Sequence, residues 1–369
     1  MKRRSIIAAA LMFMVIPLLL TGIHLGIGRL LVEFPPLTQY VDHAPFSILK
    51  FFIYSLLFLT AITILIFPTW FGFRKGRNVT AVPTPSPMPW WGWAGIVLTI
   101  ISWICAWGRF DWLGIIQDHT FFPLWLGYIF AVDGMVYRRT GCSRIAGRTG
   151  EFAALFPASA AAWWYFEFLN RFVQNWYYAG VEHYSAAQYI ILATLSFSTV
   201  FPAIFATSDL LMSFQWFRTA YSNGPRWQTP SRNTLLCIMA VGTAGFAALG
   251  YYPVHLFFMT WVLPMAVLAP ALSLAGIRTP FNHLKDGNYT DLFTLAIASL
   301  ICGFLWEMWN FWSMPKWYYT IPYVQSMHIF EMPFPGYGGF LPFGPICWIM
   351  WLTLKHLFAK SNEHSGHTL

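Results

Sequence analysis

Two segments of this sequence place a carboxylic acid and an amide three residues apart within apolar surroundings. Glu167 precedes Asn170, and Glu307 precedes Asn310. Side chains three residues apart lie on the same face of a helix, so each segment presents an acid beside an amide. An ionisable group in an apolar helix is costly unless it is protonated, paired or facing a cavity. The pattern therefore predicts proton-transfer chemistry at the two acids, with the asparagines orienting them.

The two segments belong to an internal duplication. A shift of 140 positions superposes Glu167 on Glu307 and Asn170 on Asn310 without a gap. Further matches at similar shifts are Glu151 with Asp291, His119 with His255, and the Trp-Tyr-Tyr runs 176–178 and 317–319. A pseudo-twofold axis along the membrane normal would bring the two acids to one depth. Two carboxyl groups in one dry site cannot both ionise easily, so one of them keeps its proton.

Other residues complete the predicted site. Glu331 breaks the symmetry of the duplication, which suits an asymmetric substrate, and aromatic rings could line an apolar pocket and stabilise a developing positive charge. The predicted catalytic residues are Glu167, Glu307, Asn170, Asn310 and Glu331, and the predicted substrate-binding residues are Trp163, Trp164, Trp306, Trp309, Tyr177 and Tyr318. In the alternative interpretation each acid is protonated, or paired with Arg171 or a histidine, and only joins helices.

A metal site is a second alternative. His119 and His255, together with the two acids, offer suitable ligand types, but histidine is also common at membrane interfaces. The five cysteines are scattered without a Cys-x-x-Cys motif, so neither a thiolate zinc site nor a disulfide framework is indicated. The prediction is a site without a metal or cofactor.

The composition places these residues in a membrane. Of the 369 residues, 57% are hydrophobic and only 10% are charged, which excludes a soluble globular surface. The net charge of +8 arises from basic residues in short loops between apolar runs, a distribution that argues against nucleic acid as a partner. The predicted partner is a membrane lipid or isoprenoid substrate, and the sequence leaves the oligomeric state open.

Ten apolar runs are long enough to cross a bilayer as helices. They cover residues 6–27, 46–67, 91–113, 120–137, 152–173, 188–214, 233–251, 254–276, 291–312 and 328–354. The predicted fold class is therefore all-α, a polytopic membrane protein with about ten transmembrane helices. Prolines and glycines interrupt the last run, which leaves open whether it spans or re-enters the membrane.

The predicted organisation is two leading helices followed by two parallel four-helix repeats. The boundaries are 1–73 for the leading helices, 74–90 for a Pro-rich cytoplasmic linker, and 91–232 and 233–369 for the repeats. With the N-terminus in the cytoplasm, 17 of the 22 lysines and arginines fall in inner loops or termini, as the positive-inside rule requires. We expect a multi-pass protein of the inner (cytoplasmic) membrane with both termini in the cytoplasm.

The segments around Glu307 carry a resemblance to a known family. Trp306-Glu307, Trp317-Tyr318-Tyr319, Pro322 and Glu331-Met332-Pro333 resemble the pattern of the lycopene cyclase domain and the related integral-membrane terpene cyclases. Only Glu307, and Glu167 by duplication, carry over at the first motif, and Phe334-Pro335 stand where the family has paired acids. The resemblance implies a small, helical, duplicated enzyme without cofactors, in which an acid protonates an isoprenoid double bond and aromatic rings shield the cation.

The expected function is that of a membrane-embedded cyclase or isomerase that acts on an apolar lipid or isoprenoid by acid–base chemistry. A transporter or channel that uses the same carboxylates for proton or cation coupling is the main alternative, and a non-catalytic scaffold is another. An apolar pocket open sideways to lipid would favour the enzyme, and a polar path through both faces would favour transport. We expect Glu167 and Glu307 to face one another across the repeat interface. The expected pocket lining is Trp306, Trp309 and Trp163 or Trp164.

Overall fold

The fold is nearly all-α. A computed structural model of the chain describes residues 2–30, 33–76 and 86–358, and it is 74% helical. Its α-helices are α1 (Lys2–Leu25), α2 (Ile48–Gly76), α3 (Trp90–Gly108), α4 (Phe121–Thr140), α5 (Arg144–Gly147), α6 (Thr149–Val173), α7 (Ala186–Phe197), α8 (Val200–Met212), α9 (Gln215–Ala220), α10 (Arg232–Tyr251), α11 (Pro253–Leu256), α12 (Leu263–Leu274), α13 (Thr290–Phe311) and α14 (Phe340–Phe358). Its strands are β1 (Trp176–Ala179), β2 (Lys316–Tyr319), β3 (His328–Ile329) and β4 (Met332–Pro333).

Several of these helices can cross a membrane. Within the described ranges, seven helices are long and apolar enough, or eight if one bent pair counts as a single span. They correspond to eight of the ten predicted runs, and the other two runs form α4 and α6, of 20 and 25 residues. Those two helices carry Asp133 and Glu167 within their apolar stretches. The helices are those expected of a multi-pass membrane protein.

Two of the predicted spans are broken. The run 188–214 forms α7 and α8, which are separated at Ser198 and Thr199. The run 254–276 forms α11, a 3-10 turn at Phe257–Trp261 and α12, with a bend of 42°. Pro264 lies in the first turn of α12, where a proline is tolerated because the missing N–H would have no helical partner.

The last predicted span starts late. Residues 328–333 form β3 and β4, a 3-10 helix follows at Phe334–Gly339, and α14 begins only at Phe340. Proline fixes its φ and removes an N–H donor, which explains why the proline-rich start of this run does not continue as an α-helix. Most of the predicted Pro-rich linker, residues 77–85, lies outside the described residues, as do residues 359–369 at the end of the second predicted repeat.

Helices α3 and α4 pack through glycine. A Cβ atom added at Gly95 would lie 2.4 Å from the backbone nitrogen of Ala131, and one at Gly127 would lie 2.6 Å from that of Thr99. Only glycine leaves room for such a close backbone approach, which is the usual way helices associate in lipid. The contact fixes α4, which in turn packs on α8.

The two helices that carry the predicted acids lie in the buried core. Helix α6 packs against α7, α8 and α14, and α13 packs against α8 and α14. Leu155 and Leu169 of α6 and Leu295 of α13 are fully buried. Both helices end at a short strand, so the geometry of the site depends on how those two strands meet.

Candidate functional site

Strands β1 and β2 form a two-stranded antiparallel sheet, here called the ribbon. Tyr177 lies opposite Tyr318, Trp176 lies opposite Tyr319, and Tyr178 lies opposite Trp317. Each residue of one Trp-Tyr-Tyr run therefore pairs with the duplicated run in a register centred on Tyr177 and Tyr318. This register has local twofold symmetry, and it brings the ends of the two duplicated segments into direct contact.

Asn170 and Asn310 attach each helix to its strand. The Asn170 amide nitrogen donates to the carbonyl of Trp176 at 2.8 Å, and its oxygen accepts from the backbone N–H of Asn175 at 2.8 Å. In the second half, Asn310 donates to the carbonyl of Trp317 at 2.8 Å and accepts from the backbone N–H of the same residue at 2.9 Å. These bonds go to the backbone, so the two amides position the strands whose side chains reach the acids.

Glu307 is held by the aromatic donors of its own strand. One carboxyl oxygen, Oε1, accepts from the Tyr319 hydroxyl at 2.6 Å and from the Trp317 indole nitrogen at 3.4 Å. The side chain is fully buried, at 0% exposure. The other oxygen, Oε2, has no hydrogen-bond partner among the described residues. Because a buried polar group without a partner is costly, this oxygen marks a position where a partner is expected.

Glu167 has the corresponding arrangement with one donor more. Its Oε1 accepts from the Tyr178 hydroxyl at 2.6 Å and from the indole nitrogens of Trp176 and Trp163, both at 3.1 Å. Tyr178 and Trp176 stand in the same relation to Glu167 as Tyr319 and Trp317 do to Glu307. The two acids therefore have matching donors beneath one face of the ribbon.

The two phenols serve as donors rather than as acids. Burial raises the pKa of Tyr178 and of Tyr319 well above the usual value for tyrosine, and the neighbouring carboxyl group raises each pKa further. Both hydroxyls therefore keep their protons at physiological pH and donate them in hydrogen bonds to the acids.

The predicted substrate-binding tyrosines lie on the other face of the ribbon. Alternate residues of a strand point to opposite faces, so Tyr177 and Tyr318 point away from the side chains that contact the acids. Their rings stack on each other, with centroids 5.7 Å apart and an interplanar angle of 25°. Tyr177 is 40% exposed. The prediction did not include the neighbouring tyrosines, Tyr178 and Tyr319, which contact the carboxyl groups.

A cavity of about 580 Å³ opens next to Glu307. Its volume lies within the range of small-molecule sites. The walls are mainly aromatic, and the rings that line it include Trp163, Trp176, Tyr178, Trp261, Trp306, Trp317, Tyr319, Phe340 and Phe343. Its polar lining includes Glu307, Asn175, Lys316 and Asp118. Of the predicted lining residues, Trp163 and Trp306 lie in this apolar cavity.

Glu167 lines a different and smaller cavity, of about 320 Å³. This second cavity, which is more polar than the first, also contains Trp164, Asn170 and Tyr177. Loop residues between Glu33 and His43 form its other wall, and the side chain of Gln174 fixes that loop by accepting from the backbone N–H groups of Tyr40 and Val41 at 2.6 and 2.8 Å. Trp176, Tyr178 and Tyr189 line both cavities. The two acids thus line separate cavities that share these aromatic walls.

Two predicted residues have other contacts. Trp309 packs against Trp125, with ring centroids 4.8 Å apart, and lines neither cavity. Glu331 forms an ion pair with Lys316, whose ammonium group also donates to the carbonyl of Phe311 at 3.0 Å. Lys316 is 7% exposed, so this pair anchors the start of β2 beside the apolar cavity.

The histidines of the metal alternative have different surroundings. His255 is exposed, and His119 is half-buried with its Nδ1 atom lacking a partner among the residues that the structure describes. Within those residues, no group of three or more histidine, cysteine or acidic side chains has the geometry to hold a metal ion.

The ribbon positions four aromatic hydrogen-bond donors that the sequence interpretation did not assign to the acids. Trp176, Tyr178, Trp317 and Tyr319 all donate to an acid, and each is separated by two positions from its partner in the same strand. This is the period of a strand, so the signal was present in the Trp-Tyr-Tyr runs.

Comparison with known proteins adds no relative, because no protein family, curated protein or solved structure matches this chain.

Proposed function

We propose that this protein is a membrane-embedded enzyme that acts on an apolar lipid or isoprenoid by acid–base chemistry, with Glu307 as the acid. The observation that carries the proposal is the difference in hydrogen bonding between the two carboxyl oxygens of Glu307. Oε1 accepts two hydrogen bonds, whereas Oε2 has no partner among the described residues and belongs to a side chain that lines the apolar cavity. When Glu307 is protonated, its proton therefore resides on Oε2, and we propose that a ligand in the cavity approaches this oxygen.

The proposed step is protonation of a carbon–carbon double bond. The O–H bond of Glu307 breaks, the π electrons form a new C–H bond, and the adjacent carbon becomes positively charged. Trp306, Trp163 and Trp317 line the cavity, and aromatic faces stabilise a cation through their quadrupole. Loss of a different proton from the cation to the Glu307 carboxylate completes a cyclisation or isomerisation and restores the acid.

The cavity wall supports entry from the bilayer. Leu57, Phe58 and Ala61 of α2 line the apolar cavity, and α2 is one of the candidate membrane spans. Leu57 is 61% exposed. A lining residue on the outer surface of a membrane helix offers an apolar ligand a lateral route. This arrangement favours an enzyme acting on a lipid over a transporter.

The membrane arrangement proposed with this function has ten spans. Helices α4 and α6 join the eight candidates, because both lie among them in the core and are long enough to cross the hydrocarbon layer. The local twofold register of the ribbon supports two parallel repeats. The basic residues in the loops support cytoplasmic termini and insertion in the inner membrane.

The experiment that tests the function compares the lipids of cells that express the wild-type protein or Glu307→Gln. Glutamine keeps the shape and the hydrogen bonds at Oε1 but cannot transfer a proton. We expect a change in the isoprenoid fraction with the wild type and its loss with Glu307→Gln. Asp286→Asn, the same chemical change at an exposed acid that lines neither cavity, is the matched control. An unchanged lipid profile with the wild type, or full activity in Glu307→Gln, would contradict the proposal.

A further inference from the structure

Asn175, which lines the apolar cavity, carries a second buried acceptor without a partner among the described residues. This residue stands between α6 and β1 and is only 3% exposed. Its backbone N–H donates to the side-chain oxygen of Asn170 at 2.8 Å, and its amide nitrogen donates to the carbonyl of Phe257 at 3.1 Å. Its side-chain oxygen, Oδ1, has no partner among the described residues. Asn175 lines the cavity that contains Glu307.

The orientation of the Asn175 amide is fixed by its neighbour. Exchanging the oxygen and nitrogen would turn Oδ1 towards the carbonyl of Phe257, and two acceptors would then face each other. The amide nitrogen therefore stays on Phe257, and the oxygen has no donor within the part of the chain that the structure describes. An amide oxygen can only accept hydrogen bonds, so its missing partner is a donor.

We infer that the ligand of the apolar cavity carries a hydroxyl group that donates to Asn175 Oδ1, while its hydrocarbon body contacts the aromatic walls. The inference rests on the proposed function and narrows it, because the substrate class becomes a lipid or isoprenoid alcohol rather than a pure hydrocarbon. Asn175 is then a specificity-determining residue, and Glu307 remains the acid.

Charge in the cavity favours a neutral donor over an ammonium group. The Lys316 ammonium already lines the cavity, where Glu331 neutralises it. Asp118, the other acid in the lining, lies 3.3 Å from His183, and both side chains are partly exposed. Glu307 is protonated in the proposed mechanism, so a cationic ligand next to Glu307 and Asn175 would be buried without a counter-charge from either residue, which is costly. A hydroxyl group satisfies Asn175 without that cost.

The test measures the binding of two matched probes to the purified full-length protein by isothermal titration calorimetry. Farnesol can donate a hydrogen bond, and farnesyl methyl ether has the same hydrocarbon chain but cannot. We expect the wild type to bind farnesol at least about tenfold more tightly, since a buried acceptor would otherwise stay unpaired. In Asn175→Leu the preference should disappear because farnesol binding weakens, while the affinity for the ether is retained. In Glu307→Gln the preference should persist.

Several outcomes would overturn the inference. Equal affinity of the wild type for the two probes would mean that the ligand does not need a donor and that water satisfies Asn175, although the apolar cavity of the proposed function would stand. A preference for farnesol that survives Asn175→Leu but is lost in Glu307→Gln would mean that the ligand hydroxyl binds Glu307 and not Asn175. If Asn175→Leu binds neither probe, Asn175→Asp, which keeps an acceptor oxygen, replaces it and must retain the preference. Failure of the wild type to bind either probe would contradict the proposed function as well.

Discussion

Tyr177 and Tyr318 lie directly opposite each other at the centre of the ribbon, and they are corresponding residues of the two duplicated segments. The strands run in opposite directions, so the relation between the halves at this point is a local twofold rotation. On the inner face, the same relation places the Trp and Tyr donors of each strand beside the acid of their own half. The ribbon thus joins the two duplicated segments and positions the donors that bind both acids.

The first prediction tests the ribbon by cross-linking. Directly opposite residues of antiparallel strands have Cα atoms about 4.5 to 5.5 Å apart, within the range of a disulfide. In a background without the five native cysteines, Tyr177→Cys with Tyr318→Cys should therefore form an intramolecular disulfide on mild oxidation. The measurement is the mobility of a protein cleaved between residues 180 and 315, with and without reductant. Ala179→Cys with Tyr318→Cys, a pair that is out of register, is the control and should cross-link far less.

The second prediction concerns the phenol beneath the ribbon. Tyr319→Phe removes the shorter of the two hydrogen bonds to Glu307 and leaves a buried oxygen poorly satisfied, at a cost of about 1–3 kcal/mol in unfolding free energy. Unfolding in detergent, followed by circular dichroism, measures the change. Tyr318→Phe removes a hydroxyl from the outer face of the same strand and should change stability by less than about 0.5 kcal/mol. Equal losses in the two variants would show that the inner-face hydroxyl has no special role.

The third prediction concerns the ion pair of Lys316 and Glu331. Removing one partner leaves a charge with little exposure and no counter-charge, so Lys316→Met should cost about 3–5 kcal/mol of stability. The double variant Lys316→Met with Glu331→Gln removes both charges and should recover a large part of the loss. Chemical denaturation of the wild type, the two single variants and the double variant gives the coupling energy. If the losses of the two single variants simply add in the double variant, the two charges do not stabilise each other.

The fourth prediction tests the proposed orientation with a native thiol. Cys142 is exposed in the connection after α4, which is cytoplasmic in the orientation that the basic residues predict. A membrane-impermeant maleimide should therefore label Cys142 in inside-out vesicles and not in intact spheroplasts, in a variant whose other four cysteines are replaced. Glu182→Cys, in the exposed turn after β1, should show the opposite pattern. Labelling of both positions from the same side would contradict the arrangement.

Helices could be predicted from this sequence because each depends on a local apolar run. All ten runs contain helix in the structure, including α4 and α6, which interrupt their apolar character with Asp133 and Glu167. The breaks within 188–214 and 254–276 were not predicted, although Ser198 and Thr199 stand at the first break and Pro264 follows the second. Such residues also occur inside continuous membrane helices, so they do not by themselves fix a break. The length of the apolar runs therefore predicted the positions of these helices better than their internal breaks.

The ribbon was harder to predict because its strands have only four residues each and pair across about 140 positions of sequence. The duplication identified both acids and both asparagines, but without a strand assignment the inner tyrosines could not be separated from the outer ones. Trp309 was expected at the cavity because it lies near Glu307 in sequence, and it instead packs against Trp125 on α4. The contacts of α13 with other helices, which no local pattern encodes, decide which aromatic side chain reaches the cavity.

The register of the ribbon also has an evolutionary consequence. A strand that pairs about its own central residue can pair in the same way with a second copy of itself, and such self-complementary contacts are those of a symmetric dimer. Each duplicated segment supplies both an acid and the ring donors that bind it, so two copies of one such segment in a symmetric dimer would form two equivalent sites. Fusion of two such copies would free one site to change independently. The cavity beside Glu307 is apolar and the one beside Glu167 is more polar, which is the kind of divergence that such a fusion permits.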